Sequence, residues 1–397
     1  MTAPGLPSDA DLARTRSVLD AAAISGIGWT PYCAASGVSL LDLASTACRQ
    51  AIDDAGLRVA DVDGIVCYHM NDSALSRDVA AALGIPALNW WNDSYAGGSH
   101  TCRIVAEAAL AVGSGLARHV VCYRALNGRS GFRMGQLGAV ETGGVFQFMT
   151  PYGFGAPPQI FGMIARRHMH EYGTTREQMG RVAITMRAHA VPNERATRRT
   201  PMTMDDYLGA RMIAEPYGLL DCCQETDGGC ALVVSAADRA ADGRWPRVRI
   251  SGVVHGGGRG ARLPLDRAPS LTESAFTRLS QRLYRQCGFG PEAIQVAELY
   301  DAFTFEVILQ LEDFGFCGKG EGGPFVADGH IALGGRLPVN THGGLLSEAY
   351  IQGLNSVVEA VAQVRGQAGA RQVPDVEHAL VTGFGFSAGG AMVLSRW

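Results

Sequence analysis

The sequence lacks long apolar runs, blocks of like charge and a basic-then-apolar start. A membrane-spanning helix needs ~18 apolar residues, and the longest candidate, Ile104–Ala117, is interrupted by Glu107 and by glycine and serine. Acidic and basic side chains are interspersed and the net charge is −4 at pH 7, so the composition does not point to nucleic acid or an anionic membrane. We expect a cytoplasmic protein, without membrane insertion, whose residues 1–21 form a disordered leader.

The ten cysteines lack metal-binding spacing. No Cys-x-x-Cys pair occurs, and the densest group is Cys222, Cys223 and Cys230. His168 and His170 are two residues apart on a helical pattern, so they face different sides of the helix. Disulfides are rare in cytosolic proteins, and a small buried thiol is the common role for such cysteines. We therefore expect no metal site and no disulfide framework.

Glycine is abundant, with 51 residues that fall at the ends of periodic segments, which is typical of an α/β fold with many tight turns. Two stretches share one order of elements: strand, helix, glycine, short loop, strand. The first spans Ile24–Cys67 and the second Arg249–Leu299. This duplication predicts two similar halves, residues 22–243 and 244–397, with a helical region at about residues 125–215 inside the first.

Capping signals locate several helices. Ser39 precedes apolar residues at helical spacing and Gly56 follows them, which predicts a helix between the two. Thr175 and Gln178 have the spacing of a capping box, in which each side chain bonds the backbone of the other residue, and they predict a helix over Arg176–Ala190. Further helices are predicted at about Leu271–Cys287, Ile160–Tyr172 and Asp205–Met212.

Two glycine motifs suggest a serine hydrolase at first sight. His255–Gly258 is similar to a lipase oxyanion loop, and Gly385–Gly389 has the spacing of a nucleophile elbow. In that fold the acid and then the histidine follow the serine. Only Ala388–Trp397 follow here, and they contain no His, Asp or Glu, so we reject this interpretation.

Several motifs, taken in order, resemble the sterol-carrier-protein-thiolase and lipid-transfer-protein branch of the thiolase superfamily. They extend over about residues 22–397 and include Ile24–Gly64, Tyr172–Gln178, Asp206–Pro216, Asp227–Gly229, Glu298–Phe303 and Asn340–Ser347. The resemblance implies an α/β thiolase fold with two duplicated, five-stranded αβαβα halves. It also implies a dimer.

The same resemblance implies where a thiolase keeps its catalytic groups, and this chain replaces them. The nucleophilic cysteine falls on Tyr95, or on Ser94 if the register is one residue earlier. Tyr350 matches the histidine that activates the nucleophile, and Tyr300 matches the residue that helps bind the thioester oxygen. The second catalytic cysteine has no counterpart in Gly383–Gly385. Without a thiolate at the first position, no acyl-enzyme forms.

Two phenols at the corners of a thioester pocket suit a retro-aldol cleavage of a β-hydroxyacyl-CoA. A base takes the β-hydroxyl proton, the Cα–Cβ bond breaks, an oxyanion pocket holds the CoA enolate, and an acid protonates carbon. We assign the acid/base pair to Tyr300 and Tyr350; which is the base stays open, with Tyr300 favoured for the hydroxyl and Tyr350 for carbon. An ordinary phenol pKa of ~10 makes a poor base at pH 7, so the base needs a lowered pKa or a polarised substrate.

Other site residues are assigned with these two. Asp301 is expected to orient Tyr300, and His342 and His100 are weaker catalytic candidates, because a lone histidine is more often structural. The positions expected to bind substrate are Tyr95, Gly343, Gly344 and Gly385.

The resemblance further implies a substrate and a partner. Some bacterial relatives look like aldolases of steroid degradation, which release propionyl-CoA and a 17-ketosteroid from a 17-hydroxy steroid-CoA. Such aldolases work with a small OB-fold (DUF35-type) protein attached to a hydratase. We therefore expect a carbon–carbon lyase that takes CoA only as part of its substrate and needs no other cofactor. We also expect a homodimer with an OB-fold or hydratase partner.

Two other functions stay open. A residual thiolase or acyltransferase would use Cys102 or Cys230 and would lose activity when one cysteine is alkylated. A non-catalytic lipid or acyl-CoA carrier, or a scaffold subunit, would bind acyl-CoA without turnover. In that case Tyr350→Phe would change affinity alone.

Overall fold

A computed structural model describes residues 7–131, 133, 147–240, 244–258 and 270–397. The strands are β1 Ala22–Trp29, β2 Gly64–His69, β3 Trp90–Tyr95, β4 His119–Asn127, β5 Met212–Ala214, β6 Tyr217–Gly218, β7 Asp227–Ala236, β8 Val248–Gly257, β9 Val296–Glu298, β10 His378–Gly383 and β11 Ala388–Arg396. The helices are α1 Asp9–Asp20, α2 Leu40–Asp54, α3 Ser76–Leu83, α4 Thr101–Gly113, α5 Pro157–Tyr172, α6 Arg176–Ala190, α7 Met204–Leu208, α8 Ala237–Ala240, α9 Phe276–Cys287, α10 Thr304–Asp313, α11 Gly322–Ala327, α12 Gly344–Ser347 and α13 Leu354–Arg365.

The main sheet repeats one topology on either side of a central junction. Its order is β3-β2-β4-β7-β1-β8-β11-β10-β9, and β1 meets β8 through two residue pairs, Ala23 with Arg249 and Ile24 with Val248. Outward from this junction, each half has antiparallel strands followed by a parallel pair, β4 with β2 and β10 with β9. The predicted duplication of the thiolase fold is therefore confirmed.

The two halves differ at their outer edges. β3 pairs in parallel with β2 over six residues. The matching place beside β9 holds, within the described ranges, a single parallel bridge between Ala297 and Val339. In its described residues, the second half therefore has four strands and this bridge where five strands were expected.

Two helices lie in the interior of the molecule. α13 is buried along its whole length and packs on β1 and β7 of the first half and on β8, β9, β10 and β11 of the second. α4 also contacts strands of both halves. Apolar residues on these helices and on the sheet faces toward them form one continuous core. The first turns of α4 and α13 meet close to Tyr300, as described below.

The disordered leader expected for residues 1–21 is wrong from residue 9 onward. α1 begins after Ser8, whose hydroxyl accepts a hydrogen bond from the Asp11 amide at 3.3 Å and donates one to the Asp11 carboxylate at 2.6 Å. Two side chains of this helix, Leu12 and Leu19, are buried. Arg16 donates a 2.7 Å hydrogen bond to the Gln286 carbonyl, which ties α1 to the second half. Residues 1–6 lie outside the described ranges.

Most predicted helices are confirmed, and their caps explain why. Ser39 caps α2, and Thr175 with Gln178 forms the capping box that starts α6. α9 begins only at Phe276, because the Ala275 amide bonds the Phe386 carbonyl at 2.9 Å instead of continuing a helix. The helix predicted over 205–212 ends at Leu208, and the chain then enters β5. Residues 132 and 134–146 of the predicted helical region, and 241–243 at the predicted boundary, lie outside the described ranges.

Of the helices just given, none is both long and apolar enough to cross a membrane.

Candidate active site

The two predicted phenols meet in the interior. Tyr300 follows β9 and Tyr350 immediately precedes α13, and their hydroxyl oxygens are 3.0 Å apart. Both side chains are buried, with 4% and 9% of their surface exposed. Fifty residues of sequence separate them, so the fold brings them together.

The ring of Tyr300 packs against two glycines that lie just before the first turns of the interior helices α4 and α13. A Cβ atom on Gly98, just before α4, would lie 2.3 Å from the Tyr300 hydroxyl oxygen, and one on Gly353, just before α13, would lie 3.0 Å from the ring. The backbone amide of Tyr300 donates to the Thr382 hydroxyl at 2.8 Å. The Gln310 side chain donates to the Tyr300 carbonyl at 2.8 Å. Because helix N-termini favour negative charge, a substrate oxygen that becomes an anion at this location would be stabilised.

Tyr350 is held mainly through its backbone. Its amide donates to the Thr226 hydroxyl at 2.9 Å. Two residues later, Gln352 adopts a left-handed conformation with φ of 50°, which a side-chain-bearing residue rarely adopts without compensating contacts. The Gln352 carbonyl accepts hydrogen bonds from the hydroxyls of Thr101, at 2.7 Å, and Tyr68, at 2.8 Å. These contacts fix where the Tyr350 side chain enters the site.

The two phenols have different electrostatic surroundings. Burial raises the pKa of Tyr300 strongly, and Tyr350, Cys223 and Glu306 raise it further. Burial also raises the pKa of Tyr350, with Cys223 and Glu306, but the hydrogen bond from Tyr300 and the charge of Arg124 lower it. Both phenols are therefore protonated in the resting site at neutral pH, and Tyr350 is the easier of the two to ionise.

Asp301 lies beside Tyr300 in sequence but not beside its hydroxyl. It is fully buried, and its carboxylate accepts a 2.7 Å hydrogen bond from the Leu345 amide. A Cβ atom on Gly344 would lie 2.0 Å from this carboxylate, so the turn packs tightly against it. Burial raises the pKa of Asp301 to about 7. Among the described contacts Asp301 fixes the turn that starts α12, and the expected orienting bond to the Tyr300 phenol is not made.

His342 belongs to a buried charge cluster. Its Nδ1 lies 2.8 Å from a Glu298 carboxylate oxygen, and its Nε2 lies 3.7 Å from Glu348. Arg195 donates to Glu348 at 3.0 Å and to Glu359 at 2.7 Å. Burial lowers the pKa of His342, but Glu348 and Glu298 outweigh it and raise the pKa to about 9. His342 is therefore a charged member of a structural cluster, and its catalytic role stays a prediction.

His342→Gln tests this charge. A pKa raised from ~6.5 in the unfolded chain to about 9 in the folded protein stabilises the fold fully below pH ~6.5. The stabilisation is lost as the pH rises through about 9. We expect the variant to lose about 3 kcal/mol of unfolding free energy near pH ~6, and much less near pH ~10. Urea denaturation across this range measures the difference; a gap that does not narrow with pH would show that His342 is neutral.

The positions expected to bind substrate are scattered. Tyr95, at the end of β3, is 64% exposed, and its ring lies edge-on to His69 with centroids 6.3 Å apart. A Cβ atom on Gly343 would lie 2.7 Å from Ala190, and one on Gly385 would lie 2.9 Å from the Ala388 carbonyl. Gly343 and Gly344 thus permit close packing of the turn, and a substrate contact of Tyr95, Gly343, Gly344 or Gly385 remains a prediction.

The thiols considered for a residual thiolase are poorly placed for nucleophilic chemistry. Cys102 is fully buried in α4, with its Sγ 3.6 Å from the Val381 carbonyl. Cys230 is fully buried in β7, 2.8 Å from the Tyr32 hydroxyl. Burial raises the pKa of Cys102 strongly and that of Cys230 to about 12, so neither is a thiolate at neutral pH.

Cys102→Ala and Cys230→Ala should therefore keep kcat within about threefold of the wild type. Iodoacetamide at neutral pH should leave turnover intact over the same time course. Peptide mapping after alkylation checks that the two thiols stay unmodified. Loss of turnover in step with alkylation of either cysteine would instead favour the thiolase alternative.

Sequence reasoning missed several contributors to the site. Gly98 touches the Tyr300 hydroxyl, and it lies in the stretch Asn92–Ser99 that resembles a thiolase nucleophile loop. Its place three residues after Tyr95, where the resemblance puts the nucleophile, was a usable signal. Thr226 and Glu306 carry no such signal, because their nearness to the phenols depends on contacts between distant segments.

Comparison with known proteins identifies relatives of this chain. Residues 261–396 match the family described as thiolase C-terminal domain-like. A steroid side-chain-cleaving aldolase of Thermomonospora curvata is 45% identical over 91% of this chain and 94% of its own length. The 17-hydroxy-3-oxo-4-pregnene-20-carboxyl-CoA lyase of Mycobacterium tuberculosis is 44% identical over 91% of this chain and 95% of its own.

A solved structure, that of an Ltp2–ChsH2(DUF35) aldolase, superposes with a TM-score of 0.90 at 44% identity. The match covers 96% of this chain and 99% of that one.

Proposed function

This chain belongs to the steroid side-chain-cleaving aldolases of the thiolase superfamily, and from that premise we propose that it cleaves a 17-hydroxy steroid-CoA thioester to a 17-ketosteroid and propionyl-CoA. The relatives at 45% and 44% identity are named as an aldolase and as a lyase of such a CoA ester. The observation that carries the proposal is the 3.0 Å contact between the hydroxyls of Tyr300 and Tyr350 in a buried site.

The substrate's own chemistry favours this reaction over thiolysis. In a 17-hydroxy steroid-CoA the β-hydroxyl sits on a tertiary carbon, which cannot become a ketone unless a carbon–carbon bond breaks. Thiolysis needs a β-ketone and a thiolate nucleophile. By the resemblance, Tyr350 stands where a thiolase carries its imidazole, Tyr300 stands where it carries the residue that binds the thioester oxygen, and the cysteine position holds no thiol. The site therefore suits cleavage by proton transfer alone.

We assign the proton transfers as follows. Ionised Tyr350, stabilised by the hydrogen bond from Tyr300, takes the β-hydroxyl proton. The Cα–Cβ bond breaks, its electron pair forms the thioester enolate, and the ketone leaves. Tyr300 then protonates the α-carbon, and the proton on Tyr350 crosses the 3.0 Å hydrogen bond to restore Tyr300. The hydroxyl proton is balanced by the new α-hydrogen, so no net proton is released.

This assignment reverses the one favoured from the sequence. Around Tyr300, burial, Tyr350, Cys223 and Glu306 all raise the pKa. Burial also raises the pKa of Tyr350, but its hydrogen bond with Tyr300 and the charge of Arg124 lower that pKa. Since a raised phenol pKa leaves little base at neutral pH, kcat should rise with pH, about tenfold per unit, until Tyr350 is ionised or the protein unfolds.

The direct test of the function is product analysis. We expect purified protein to convert a tertiary β-hydroxyacyl-CoA to a ketone and propionyl-CoA, identified by mass spectrometry. A secondary β-hydroxyacyl-CoA of similar size serves as the control for recognition of the tertiary centre. Turnover that requires free CoA and yields a shortened acyl-CoA would support the thiolase alternative. Tight binding without turnover, with or without a partner protein, would support the carrier alternative.

We also propose a homodimer formed along β3. This edge strand is hydrogen-bonded to β2 on one side, and within the described ranges no strand pairs with its other side. Trp91 and Tyr95 are exposed on it, by 48% and 64%. An exposed strand edge with large apolar side chains is a template for pairing with another chain. A twofold axis beside β3 would join the sheets of two copies.

Light scattering of the purified chain should give twice the 42.0 kDa chain mass. Trp91→Lys should shift it toward the monomer, since a lysine on an edge strand opposes pairing. Leu208→Lys, at an exposed position of α7, is the control. A dimer that tolerates Trp91→Lys would place the contact elsewhere.

An OB-fold (DUF35-type) partner, or the hydratase that carries it, is the second assembly we propose, since the solved relative is an Ltp2–ChsH2(DUF35) aldolase. Co-expression with a DUF35-type protein of the same organism should yield a stable complex on size exclusion. All ten cysteines are free thiols, which supports a reducing cytoplasm as the site of action.

A further inference from the structure

An ion pair that the proposed reaction does not use lies behind Tyr350. Arg124, on β4, has none of its surface exposed, and Asp72, in the turn after β2, is almost as buried. One guanidinium nitrogen of Arg124 lies 2.6 Å from an Asp72 carboxylate oxygen. Taking an arginine and a carboxylate out of water is costly, and an apolar pair of similar size is often at least as stable. Its place beside the site suggests a role other than stability.

The contacts of Arg124 lead to the segment that carries Tyr350. Its Nε donates a 3.0 Å hydrogen bond to the side-chain oxygen of Gln352. Its guanidinium lies over the ring of Tyr68, 5.3 Å from the centroid. Tyr68 in turn donates its hydroxyl to the Gln352 carbonyl at 2.8 Å. Arg124 therefore holds the side chain of Gln352, and Tyr68 holds its backbone. The left-handed φ of 50° at Gln352 needs such support.

The charge of Arg124 also reaches the phenol. The titratable groups that face Tyr350 are Tyr300, Cys223 and Glu306, and Arg124 is the cation that faces it from β4. Cys223 and Glu306 oppose a phenolate, and Arg124 favours it. Asp72, on the far side of the ion pair, neutralises part of the guanidinium charge.

We propose that the Arg124–Asp72 ion pair positions Tyr350 and sets the electrostatic potential at the phenolate of this tyrosine. The proposal rests on the proposed function, in which Tyr350 is the base. Arg124 acts on Tyr350 through its hydrogen bond to Gln352 and through the electrostatic effect of its charge, and it does not touch the substrate. The pair is thus a positioning and tuning device, in which the arginine promotes ionisation and the aspartate restrains it.

Two substitutions that break the same ion pair separate this role from a structural one. Arg124→Gln removes the cation and should lower kcat about tenfold or more at a fixed pH on the rising limb of the pH profile. Asp72→Asn leaves the guanidinium unneutralised and keeps a side-chain oxygen for the Met70 amide, which donates to Asp72 at 2.7 Å. It should raise kcat severalfold at the same pH. Arg124→Lys, which keeps the charge, should recover most of the activity lost in Arg124→Gln.

A purely structural pair would lower kcat in both Arg124→Gln and Asp72→Asn, and that result would overturn the inference. If Arg124→Gln does not fold, Asp72→Asn decides: faster turnover supports the inference, and equal or slower turnover overturns it. The ultraviolet titration of tyrosinate, taken as the difference from each variant with Tyr350→Phe added, should move in the same directions; this subtraction removes Tyr68, which also faces Arg124. Full activity in Tyr350→Phe would instead remove the proposed function.

Discussion

Tyr350→Phe and Tyr300→Phe are each expected to lower kcat by ~10²-fold or more, because each removes one acid or base from the proton path. The two hydroxyls share a 3.0 Å hydrogen bond and act as one unit. The double variant should therefore lose little more than either single variant, as for other groups that function together. Steady-state turnover of a tertiary β-hydroxyacyl-CoA measures all three.

Tyr284→Phe provides the matched control. Tyr284, on α9, is half-buried, and its hydroxyl donates a 2.9 Å hydrogen bond to the Phe314 carbonyl. Its loss should cost about 1 kcal/mol of stability and leave kcat unchanged. Near-wild-type turnover in both Tyr300→Phe and Tyr350→Phe, with folding intact, would remove the phenol pair from the mechanism.

Gly98→Ala is expected to have the second largest effect on turnover. The added Cβ would lie 2.3 Å from the Tyr300 hydroxyl oxygen and 2.4 Å from its ring, so the phenol has to shift. A displacement of ~1 Å at a reacting group costs ~10²-fold in rate. Gly97→Ala is the neighbouring control, because its Cβ would meet the flexible Met70 sulfur at 3.3 Å and does not reach the phenol.

The two alanine variants should therefore differ by at least ~10-fold in kcat while unfolding at similar temperatures. A crystal structure of Gly98→Ala would locate the displaced ring. Equal activity of Gly97→Ala and Gly98→Ala would mean that the exact placement of the Tyr300 hydroxyl does not limit the reaction.

Local signals in the sequence predicted the elements that depend on neighbouring residues. The capping box of Thr175 and Gln178 fixed the start of α6, and the alternation of strand, helix and glycine fixed the order of both halves. The prediction of a disordered leader was wrong because the Ser8–Asp11 capping box starts a helix in spite of the polar composition of this segment. Burial of Leu12 and Leu19, which stabilises α1, needs a partner surface that the local sequence does not reveal.

The sequence predicted a site residue only where a family motif indicates the residue's place in the fold. Tyr300 and Tyr350 follow from the motifs they occupy. The prediction that Asp301 orients the Tyr300 phenol was wrong, because the Asp301 carboxylate accepts a hydrogen bond from the Leu345 amide instead. Arg124 was missed, since it reaches Gln352 across 228 residues of sequence and no local pattern marks the contact. His342 takes its charge from carboxylates on separate segments, which motif position does not encode.

The exchange of α-hydrogen in propionyl-CoA for deuterium, measured by mass spectrometry in heavy water with the ketone product present, tests the phenol pair most directly. The experiment isolates the carbon-protonation step and needs no cleavage. We predict exchange with the wild type and none above the uncatalysed rate with the Tyr300→Phe/Tyr350→Phe double variant. Exchange at the wild-type rate in the double variant would contradict proton transfer by these two tyrosines.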